Sequence, residues 1–285
     1  MIKIIKYFIQ SIFVYFFFLI GRILGLKISR KIFSLLFRKV ASLFKSKKII
    51  EKNLNYFSKD LSENLKKEII DSMWSNYGMT FIEYIFLDFF KKNRDHIRIN
   101  GEKILQDIKN NNKKVIFVSG HFANFELMSM EIVKKNINLA TIYRPLNNFF
   151  LNPLMEFQRR KYVCKNQIKK GINGVRDTLE YINKGYSIAL MIDQRVSEGE
   201  MINFFNKAAL TTTLPAQLSI RYKIPIVPVF IKRINDKFFE LNFLEEIKPE
   251  ENKDKFELTK KLNLILEEMI KNHPYQWIWT HNRWK

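Results

Sequence analysis

The sequence has little cysteine and few histidines. Cys164 is the only cysteine in 285 residues, so an internal disulfide framework is excluded, and a thiolate metal site, which usually needs several ligands, is disfavoured. A lone cysteine also fits a reducing compartment. The four histidines, His96, His121, His273 and His281, are scattered and form no H-E-x-x-H pattern. This scatter argues against a zinc centre.

Local motifs for nucleotide binding and covalent catalysis are also missing. Neither G-x-G-x-x-G nor G-x-x-x-x-G-K-[ST] occurs, so nucleotide binding has no local support. There is no G-x-S-x-G elbow, and no histidine stands near Cys164 in the sequence. If the protein is an enzyme, these absences favour direct transfer of a group between substrates without a covalent enzyme intermediate. We predict neither a cofactor nor a metal.

Acidic residues are scarce relative to basic ones. Lys and Arg total 49 against 28 Asp and Glu, which gives a formal net charge of +21 at pH 7. Such a charge suits a polyanionic partner such as a nucleic acid, an acidic membrane surface or a phosphorylated lipid. The chain is also rich in Lys, Asn, Ile, Phe and Tyr, the residues that AT-rich codons specify, so the charge alone does not define a site.

A long uncharged run marks the N-terminus. No composition break or Gly/Ser-rich linker divides the remainder, which indicates one domain behind an appendage. As a helix, residues 7–21 would span about 22 Å, and an extension to Leu26 reaches the roughly 30 Å of a membrane core. This extension includes Arg22, which could snorkel to the headgroups. We predict a spanning or deeply inserted anchor, which is retained because basic residues follow where a signal-peptide cleavage site needs small ones.

A basic amphipathic stretch, KISRKIFSLLFRKVASLFKSKK, follows at residues 27–48. It could lie in an anionic membrane interface, where each Lys or Arg contributes about 1 kcal/mol, or it could pack on the domain as an amphipathic helix. We therefore divide the chain into residues 1–48, the anchor with this segment, and residues 49–285, the functional domain. Because basic residues flank the apolar run on both sides, the positive-inside rule favours a cytoplasmic domain only weakly.

Strand-like runs alternate with helical patterns along the domain. Residues 61–91 show apolar positions near a 3.6 period, which predicts helix. The strand patterns cover residues 113–120, 139–144, 186–193, 225–233 and 238–247. The helical patterns cover residues 124–136, 150–162, 174–184 and 214–223. This alternation predicts an α/β domain with a central mixed sheet flanked by helices.

Polar side chains follow three of these strand patterns. In α/β sheets, ligands bind outside the carboxyl ends of strands, and His121, Arg144 and Asp193 all fall there. If the next helix begins near Asn124, Glu126 lies within reach of the His121 ring. Such a carboxylate fixes the tautomer and leaves the other ring nitrogen as a base. A glutamate in a first helical turn is also common for structural reasons, so the spacing alone does not decide.

Five sequence blocks occur in an order that resembles the lipid A biosynthesis acyltransferases. They are GHFANFE at 120–126, YRPLNN at 143–148, DQRVSEGEMINFFNKAALTT at 193–212, YKIPIVPVFIKR at 222–233 and HPYQWIWTHNRWK at 273–285. The resemblance covers nearly the whole chain and extends to the broader H-x4-D/E glycerolipid acyltransferases, whose fold it implies. It also implies that a fatty acyl chain passes from an acyl thioester, usually on acyl carrier protein, to a hydroxyl of a lipid A precursor.

The resemblance also implies roles for individual residues. His121 would deprotonate the acceptor hydroxyl, and Glu126 would orient His121. The implied substrate-binding residues are Asn124, Arg144, Asp193 and Gln194. Arg144 would hold an anionic part of the acceptor or the developing charge, because a guanidinium binds phosphate in a bidentate manner.

Some features depart from the family pattern and keep alternatives open. Ala123 and Phe125 stand where the family usually has Gly and Trp, which leaves the acyl-chain preference open. One alternative is acylation of another glycolipid or a lysophospholipid, although no block resembles F-P-E-G-T-R-S. Another is a basic membrane-surface or nucleic-acid-binding protein without catalysis.

The resemblance also sets expectations for partners and location. The expected partners are acyl carrier protein as donor, an anionic glycolipid acceptor and a membrane, with no nucleic acid. The expected location is the bacterial inner membrane, with the catalytic domain on the cytoplasmic side.

Overall fold

The computed structural model of the protein describes residues 2–40, 47–249 and 254–285. The helices are α1 (Ile2–Val40), α2 (Lys47–Phe57), α3 (Glu63–Glu83), α4 (Leu87–Lys92), α5 (Glu102–Asn110), α6 (Glu126–Lys134), α7 (Asn152–Gln158), α8 (Ile172–Asn183), α9 (Leu214–Tyr222) and α10 (Lys255–Asn272). The strands are β1 (Ile97–Asn100), β2 (Ile116–Ser119), β3 (Leu139–Tyr143), β4 (Asn166–Lys169), β5 (Ser187–Met191), β6 (Glu200–Phe204), β7 (Lys207–Thr211), β8 (Ile226–Ile234) and β9 (Phe238–Phe243).

The domain is built on a seven-stranded mixed sheet. Its strand order is β1-β9-β8-β2-β5-β3-β4, and neighbouring strands are parallel except for the antiparallel pair β8 and β9. Every residue of β2 is buried, as are nearly all of β5 and β8. Because continuous burial requires cover on both faces, helices must flank this sheet on each side. The predicted α/β class with a central mixed sheet is therefore confirmed.

The elements that were not predicted from the sequence include the 18-residue helix α10 and the two edge strands of the sheet. The five predicted strands are present as β2, β3, β5, β8 and β9. The four-residue strands β1 and β4 form the two edges of the sheet, and their sequences IRIN and NQIK are partly polar and only half buried. The predicted helix at 61–91 is interrupted by a 3-10 turn at Tyr84–Phe86, and the one at 150–162 ends in a π-helical turn at Arg159–Val163.

The N-terminal helix α1 reverses direction at Gly25, where the backbone is not helical (φ 75°, ψ 164°). The rings of Phe17 and Phe33 lie 5.7 Å apart, and the Ser29 hydroxyl donates to the Gly21 carbonyl at 2.8 Å. In a straight helix, Phe17 and Phe33 would be about 24 Å apart. Residues 2–24 and 26–40 therefore form a helical hairpin, which we call the N-terminal hairpin.

Residues 26–40 of this hairpin pack on the domain, mainly on α3. Phe33 is buried, and its ring contacts Phe81 of α3 at 5.9 Å. Gly78 allows the close approach, because a methyl group there would overlap the Phe33 carbonyl. The sequence left open whether this basic stretch lies in a membrane interface or packs on the domain. The part of it that the structure describes packs on the domain.

Residues 2–24 also lie along the domain, with one face docked and the other exposed. The Tyr15 hydroxyl donates to the Phe150 carbonyl at 2.8 Å, the Asn148 amide donates to the Tyr7 carbonyl at 2.9 Å, and Phe18 packs on Phe81 at 5.0 Å. The outward face carries the exposed side chains Ile2, Ile4, Ile5, Phe8, Ile9, Ile12, Phe13, Phe16, Leu19 and Ile23. By length and composition, α1 is the one described helix that could cross a membrane.

The contact between the hairpin and α3 is testable at Gly78. A Gly→Ala change inside a helix ordinarily stabilises by about 1 kcal/mol, but at Gly78 the new methyl meets a backbone carbonyl that cannot rotate away. We expect Gly78→Ala to destabilise the protein by about 1–3 kcal/mol, measured by thermal or urea unfolding in detergent. Gly21→Ala is the matched control, because its methyl meets only side-chain atoms of Ile82 and Ile85 and no backbone. Equal or higher stability of Gly78→Ala would contradict this account.

Candidate active site

His121 lies on the loop that joins β2 to α6. Its ring Nδ1 is 2.7 Å from Asp193 Oδ1, and its backbone N–H donates to Asp193 Oδ2 at 2.9 Å. Asp193 follows β5, which pairs in parallel with β2, so the two residues meet because their strands are neighbours with carboxyl ends at one edge. This contact leaves Nε2 as the ring nitrogen available to a substrate.

Asp193 is buried, with 1% of its surface exposed. The Trp277 indole N–H donates to its Oδ2 at 2.9 Å, in addition to the two bonds from His121. Burial alone would raise the pKa of Asp193, but the His121 charge and these hydrogen bonds outweigh it and lower the pKa to about 2. The carboxylate therefore stays ionised and holds the proton of His121 on Nδ1.

Glu126 does not contact the His121 ring as the sequence analysis expected. Its carboxylate accepts hydrogen bonds from Arg159, at 2.8 Å from Nε and 2.6 Å from Nη2, and from the Tyr84 hydroxyl. The loop before α6 turns through Ala123, whose φ is +43°, and this turn separates the two side chains. The expected contact is thus corrected, and Asp193 takes the place beside the ring.

Arg159 and Tyr84 are held firmly around the Glu126 carboxylate. Burial raises the pKa of Tyr84 well above its usual range, and the Glu126 charge adds to this effect, so Tyr84 remains a hydrogen-bond donor. Burial would lower the pKa of Arg159, but the charge of Glu126 and the hydrogen bonds to its carboxylate raise the pKa overall. The Arg159 guanidinium also lies over the ring of Tyr143, 5.4 Å from its centroid. The result is a fixed cation on the wall of the site.

A cavity of about 600 Å³ opens at this edge of the sheet. Four of the residues predicted for the site line it together: His121, Glu126, Arg144 and Gln194. Gln194 Nε2 lies 3.5 Å from the His121 Nδ1. Phe125 also lines the cavity, with its ring 4.6 Å from the imidazole. The cavity therefore brings the exposed side of the imidazole together with two basic side chains, Arg144 and Arg159.

Asn124 and Asp193 are placed differently from the substrate contacts expected for them. Asn124 is fully buried and donates from Nδ2 to Glu83 Oε2 at 2.9 Å. Asp193 lies beneath the His121 ring instead of on the cavity wall. The Asn124 amide nitrogen is bonded to Glu83, and both carboxylate oxygens of Asp193 accept from His121, so each side chain holds the loop or the ring from its buried side.

Further basic side chains line the cavity beyond Arg144. Lys170 follows β4 directly and donates its backbone N–H to Tyr143 at 2.8 Å, which places it beside Arg144 at the ends of paired strands. Partial burial lowers the pKa of Lys170, and the charge of Arg144 adds to this effect. Arg195 lines the same cavity. These cations make the opening favourable for an anionic ligand.

Comparisons with known proteins identify the group to which this chain belongs. The sequence model of the bacterial lipid A biosynthesis acyltransferases matches residues 1–285, the whole chain. The chain belongs to this family. The protein is therefore an acyltransferase, and its family supports acyl transfer in lipid A biosynthesis, with an acyl donor and a lipid acceptor.

Named relatives of this acyltransferase are distant in sequence. Lipid A biosynthesis acyltransferase 2 of Shigella flexneri is 21% identical over 80% of this chain and 74% of its own length. The lauroyltransferase of Escherichia coli (strain K12) is 23% identical over 84% and 78%, and its palmitoleoyltransferase is 24% identical over 83% and 78%. The crystal structure of a 1-acyl-sn-glycerophosphate acyltransferase from Thermotoga maritima covers 89% of this chain and 100% of its own, with 14% identity and a TM-score of 0.44.

Several residues around the site of this acyltransferase were not predicted from its sequence. Arg159 and Tyr84 lie inside stretches predicted only as helix, and no local motif marks them. Trp277 and His281 fall in the last of the five sequence blocks, which was the only available signal. Their contacts with the loops after β2 and β5 depend on how the C-terminal segment crosses the sheet edge, as in the isolated bridge between Phe122 and Trp277.

His281 holds the loop after Asp193. Its Nε2 accepts a hydrogen bond from the Arg195 backbone N–H at 2.9 Å, which requires an unprotonated nitrogen. Burial lowers the pKa of His281 to about 4, so the ring stays neutral and keeps this bond at neutral pH.

The depressed pKa of His281 predicts a pH-dependent stability for this acyltransferase. Below pH 6.5 the unfolded chain binds a proton that the folded protein resists until about pH 4, so the free energy of unfolding falls as pH drops through this window, by up to about 3 kcal/mol. His281→Gln keeps an acceptor but cannot titrate. Urea unfolding at pH 7, 6, 5 and 4 should therefore show a smaller loss for the variant, and parallel losses would contradict the prediction.

Proposed function

We propose that this acyltransferase moves a fatty acyl chain from the thioester of acyl carrier protein to a hydroxyl of a lipid A precursor, with His121 as the general base. The observation that carries the proposal is the hydrogen bond between His121, on the cavity wall, and the buried Asp193. With Nδ1 bound to Asp193, Nε2 is free to take a proton. A base of this kind contributes about 10²- to 10⁴-fold to the rate.

The reaction proceeds by direct attack. His121 Nε2 takes the proton of the acceptor hydroxyl. The hydroxyl oxygen attacks the thioester carbonyl carbon at the same time, and a tetrahedral oxyanion forms. Asp193 stabilises the imidazolium. When the intermediate collapses, the carbon–sulfur bond breaks, and the leaving thiolate receives the proton from Nε2. The products are the ester and the free carrier thiol, and His121 returns to its neutral state.

Arg159 and Arg144 are the cations that the site offers to developing negative charge. We assign Glu126 the role of fixing the Arg159 guanidinium, because Arg159 donates to it from both Nε and Nη2. A cation held in place before the reaction stabilises an oxyanion better than one that must reorganise. Arg144, which is exposed at the opening, would hold a phosphate or another anionic part of the acceptor.

Acyl carrier protein is proposed as donor on electrostatic grounds. The carrier is acidic, whereas this chain carries a net charge of +21, with Arg144, Lys170 and Arg195 lining the cavity. Opposite charges speed the encounter of two proteins, and added salt screens this effect. The same cations suit an anionic glycolipid acceptor.

The apolar part of the cavity would receive the acyl chains. Phe81, Met128, Ile142, Met155 and Leu190 line it. Phe81 also packs on the N-terminal hairpin through Phe18. The cavity therefore borders the hairpin, so a lipid acceptor held in a membrane beside residues 2–24 could enter without crossing water.

We place the exposed apolar face of residues 2–24 in the bacterial inner membrane, with the catalytic domain on the cytoplasmic side. Phe149 and Leu146, both exposed, belong to the loop that packs on this helix, where Tyr7 and Phe149 have their rings 6.2 Å apart. Because the other face of the helix is docked on the domain, the helix and this loop would enter one leaflet together. This arrangement holds the cavity at the membrane surface.

The function is tested by direct assay. Membranes that contain the protein are incubated with a lipid A precursor and labelled acyl groups on acyl carrier protein or coenzyme A, and the products are identified by mass. We expect acylation of the precursor, with the carrier protein as the better donor, and a loss of about 10²-fold or more for His121→Ala. Transfer to a lysophospholipid but not to the precursor would contradict the function, and a fully active His121→Ala would contradict the mechanism.

Membrane attachment is tested by placing a charge on the outward face. Ile12 is 52% exposed in the N-terminal hairpin, and Leu264 is 53% exposed on α10, so Ile12→Lys and Leu264→Lys are matched changes. We expect only Ile12→Lys to weaken binding to anionic phospholipid vesicles in flotation, because a buried charge in the hydrocarbon is costly. Equal binding of the two variants would contradict the placement of this face.

A further inference from the structure

Two side chains of α3 hold the loop that carries His121. The Thr80 hydroxyl donates to the Ala123 carbonyl at 2.9 Å, and Glu83 accepts from the Asn124 amide at 2.9 Å. Thr80 and Glu83 are three residues apart and so share one face of α3. Together they bind two consecutive residues of the loop, at the point where Ala123 has a φ of +43°. We call this pair the loop clamp.

The clamp is fixed by a buried network of charges. Glu83 is fully buried and pairs with Arg233 of β8 and with Arg30 of the N-terminal hairpin, whose Nε lies 2.6 Å away. Burial would raise the pKa of Glu83, but the charges of Arg233 and Arg30 outweigh it and lower the pKa. The carboxylate is therefore ionised and keeps accepting from Asn124.

Arg233 also determines how Thr80 is oriented. Its Nη2 donates to the Thr80 hydroxyl oxygen at 3.1 Å, so the threonine's own hydrogen is directed to the Ala123 carbonyl. Arg233 is in turn held by the Asn76 side chain at 3.0 Å and, through its backbone, by two bonds with Gln276 at 2.7 and 2.8 Å. Each member of the network thus has its geometry set by another.

Stability alone does not account for such a network. It buries two cations and one anion, and each ion loses several kcal/mol of hydration that a well-packed apolar cluster would not lose. Its hydrogen bonds converge on the loop between β2 and α6. We therefore infer that the network serves to fix the position of this loop.

We propose that Thr80 and Glu83 are positioning residues for acyl transfer. They hold the backbone at Ala123 and Asn124, so that the His121 ring stays on Asp193 with Nε2 directed to the acceptor. This inference rests on the proposed role of His121 as general base. A shift of about 1 Å in a catalytic group can lower the rate about 10²-fold, so loosening the loop should reduce turnover more than binding.

The test uses Thr80→Val in the full-length protein, because Glu83 variants leave buried arginines unpaired and risk misfolding. Valine keeps the shape of threonine and removes the donor to Ala123. In steady-state assays with acyl carrier protein donor and lipid A precursor, we expect kcat to fall about 10- to 100-fold, with both KM values within about two-fold of the wild type. Thr80→Ser, which keeps the hydroxyl, should restore most of kcat.

Thr178→Val is the matched control. Thr178 is fully buried, and its hydroxyl donates to the Gly174 carbonyl at 2.6 Å on α8, outside the residues that line the cavity. The Thr178→Val change should lower the unfolding temperature and leave the kcat of the folded protein unchanged. If Thr80→Val keeps wild-type kcat, or if Thr178→Val loses as much, the positioning role is overturned.

His121→Ala in the same assay separates two kinds of failure. An inactive His121→Ala beside an unaffected Thr80→Val overturns the clamp and leaves the proposed function standing. A fully active His121→Ala overturns the general-base role and, with it, the clamp that depends on it.

Discussion

The active site depends on one buried carboxylate, that of Asp193. It accepts three N–H groups, two from His121 and one from Trp277, and thereby joins the loop after β2, the end of β5 and the C-terminal segment. Since a buried anion without donors would be strongly unfavourable, these three parts must come together for the fold to form. The same requirement that stabilises the fold fixes the tautomer of His121 and directs Nε2 to the cavity.

A second buried carboxylate, that of Glu83, holds the other side of the same loop. Asp193 binds His121 while Glu83 binds Asn124, so the left-handed turn at Ala123 is fixed from both sides. Glu83 also pairs with Arg30 of the N-terminal hairpin. The helix pair that carries the exposed apolar surface and the loop that carries His121 therefore share one ion network, and the hairpin is part of the catalytic domain's packing.

The strands and the residues that follow them could be predicted wherever a local sequence pattern marks them. The sequence of the buried strands β2, β5 and β8 is a continuous apolar run in each case, and His121, Arg144 and Asp193 were placed after strand ends that do lie together, with Asp193 behind His121. The pairing of His121 with Asp193 could not be predicted from the sequence, because it requires β5 to lie beside β2. The order of the strands along the chain does not specify their order in the sheet. Nearness in sequence suggested Glu126 instead. The reversal of α1 at Gly25 could not be predicted either, because an apolar run does not indicate which residue within it has a positive φ.

The hairpin and the cavity fit a common demand of lipid acylation. Under the proposed mechanism, an acceptor with two or more acyl chains must bring a hydroxyl to His121 Nε2 while its chains remain out of water, because exposing each CH₂ costs about 0.8 kcal/mol. Phe81 belongs both to the cavity wall and to the contact with Phe18 of the hairpin, so the apolar route from the membrane to the site need not be interrupted. Arg144 and Lys170 line the same cavity and, under the proposed function, offer cations to the acceptor headgroup and to the carrier protein. With the hairpin in the proposed membrane position, apolar residues near the hairpin and cations at the strand ends would orient such an acceptor in one direction.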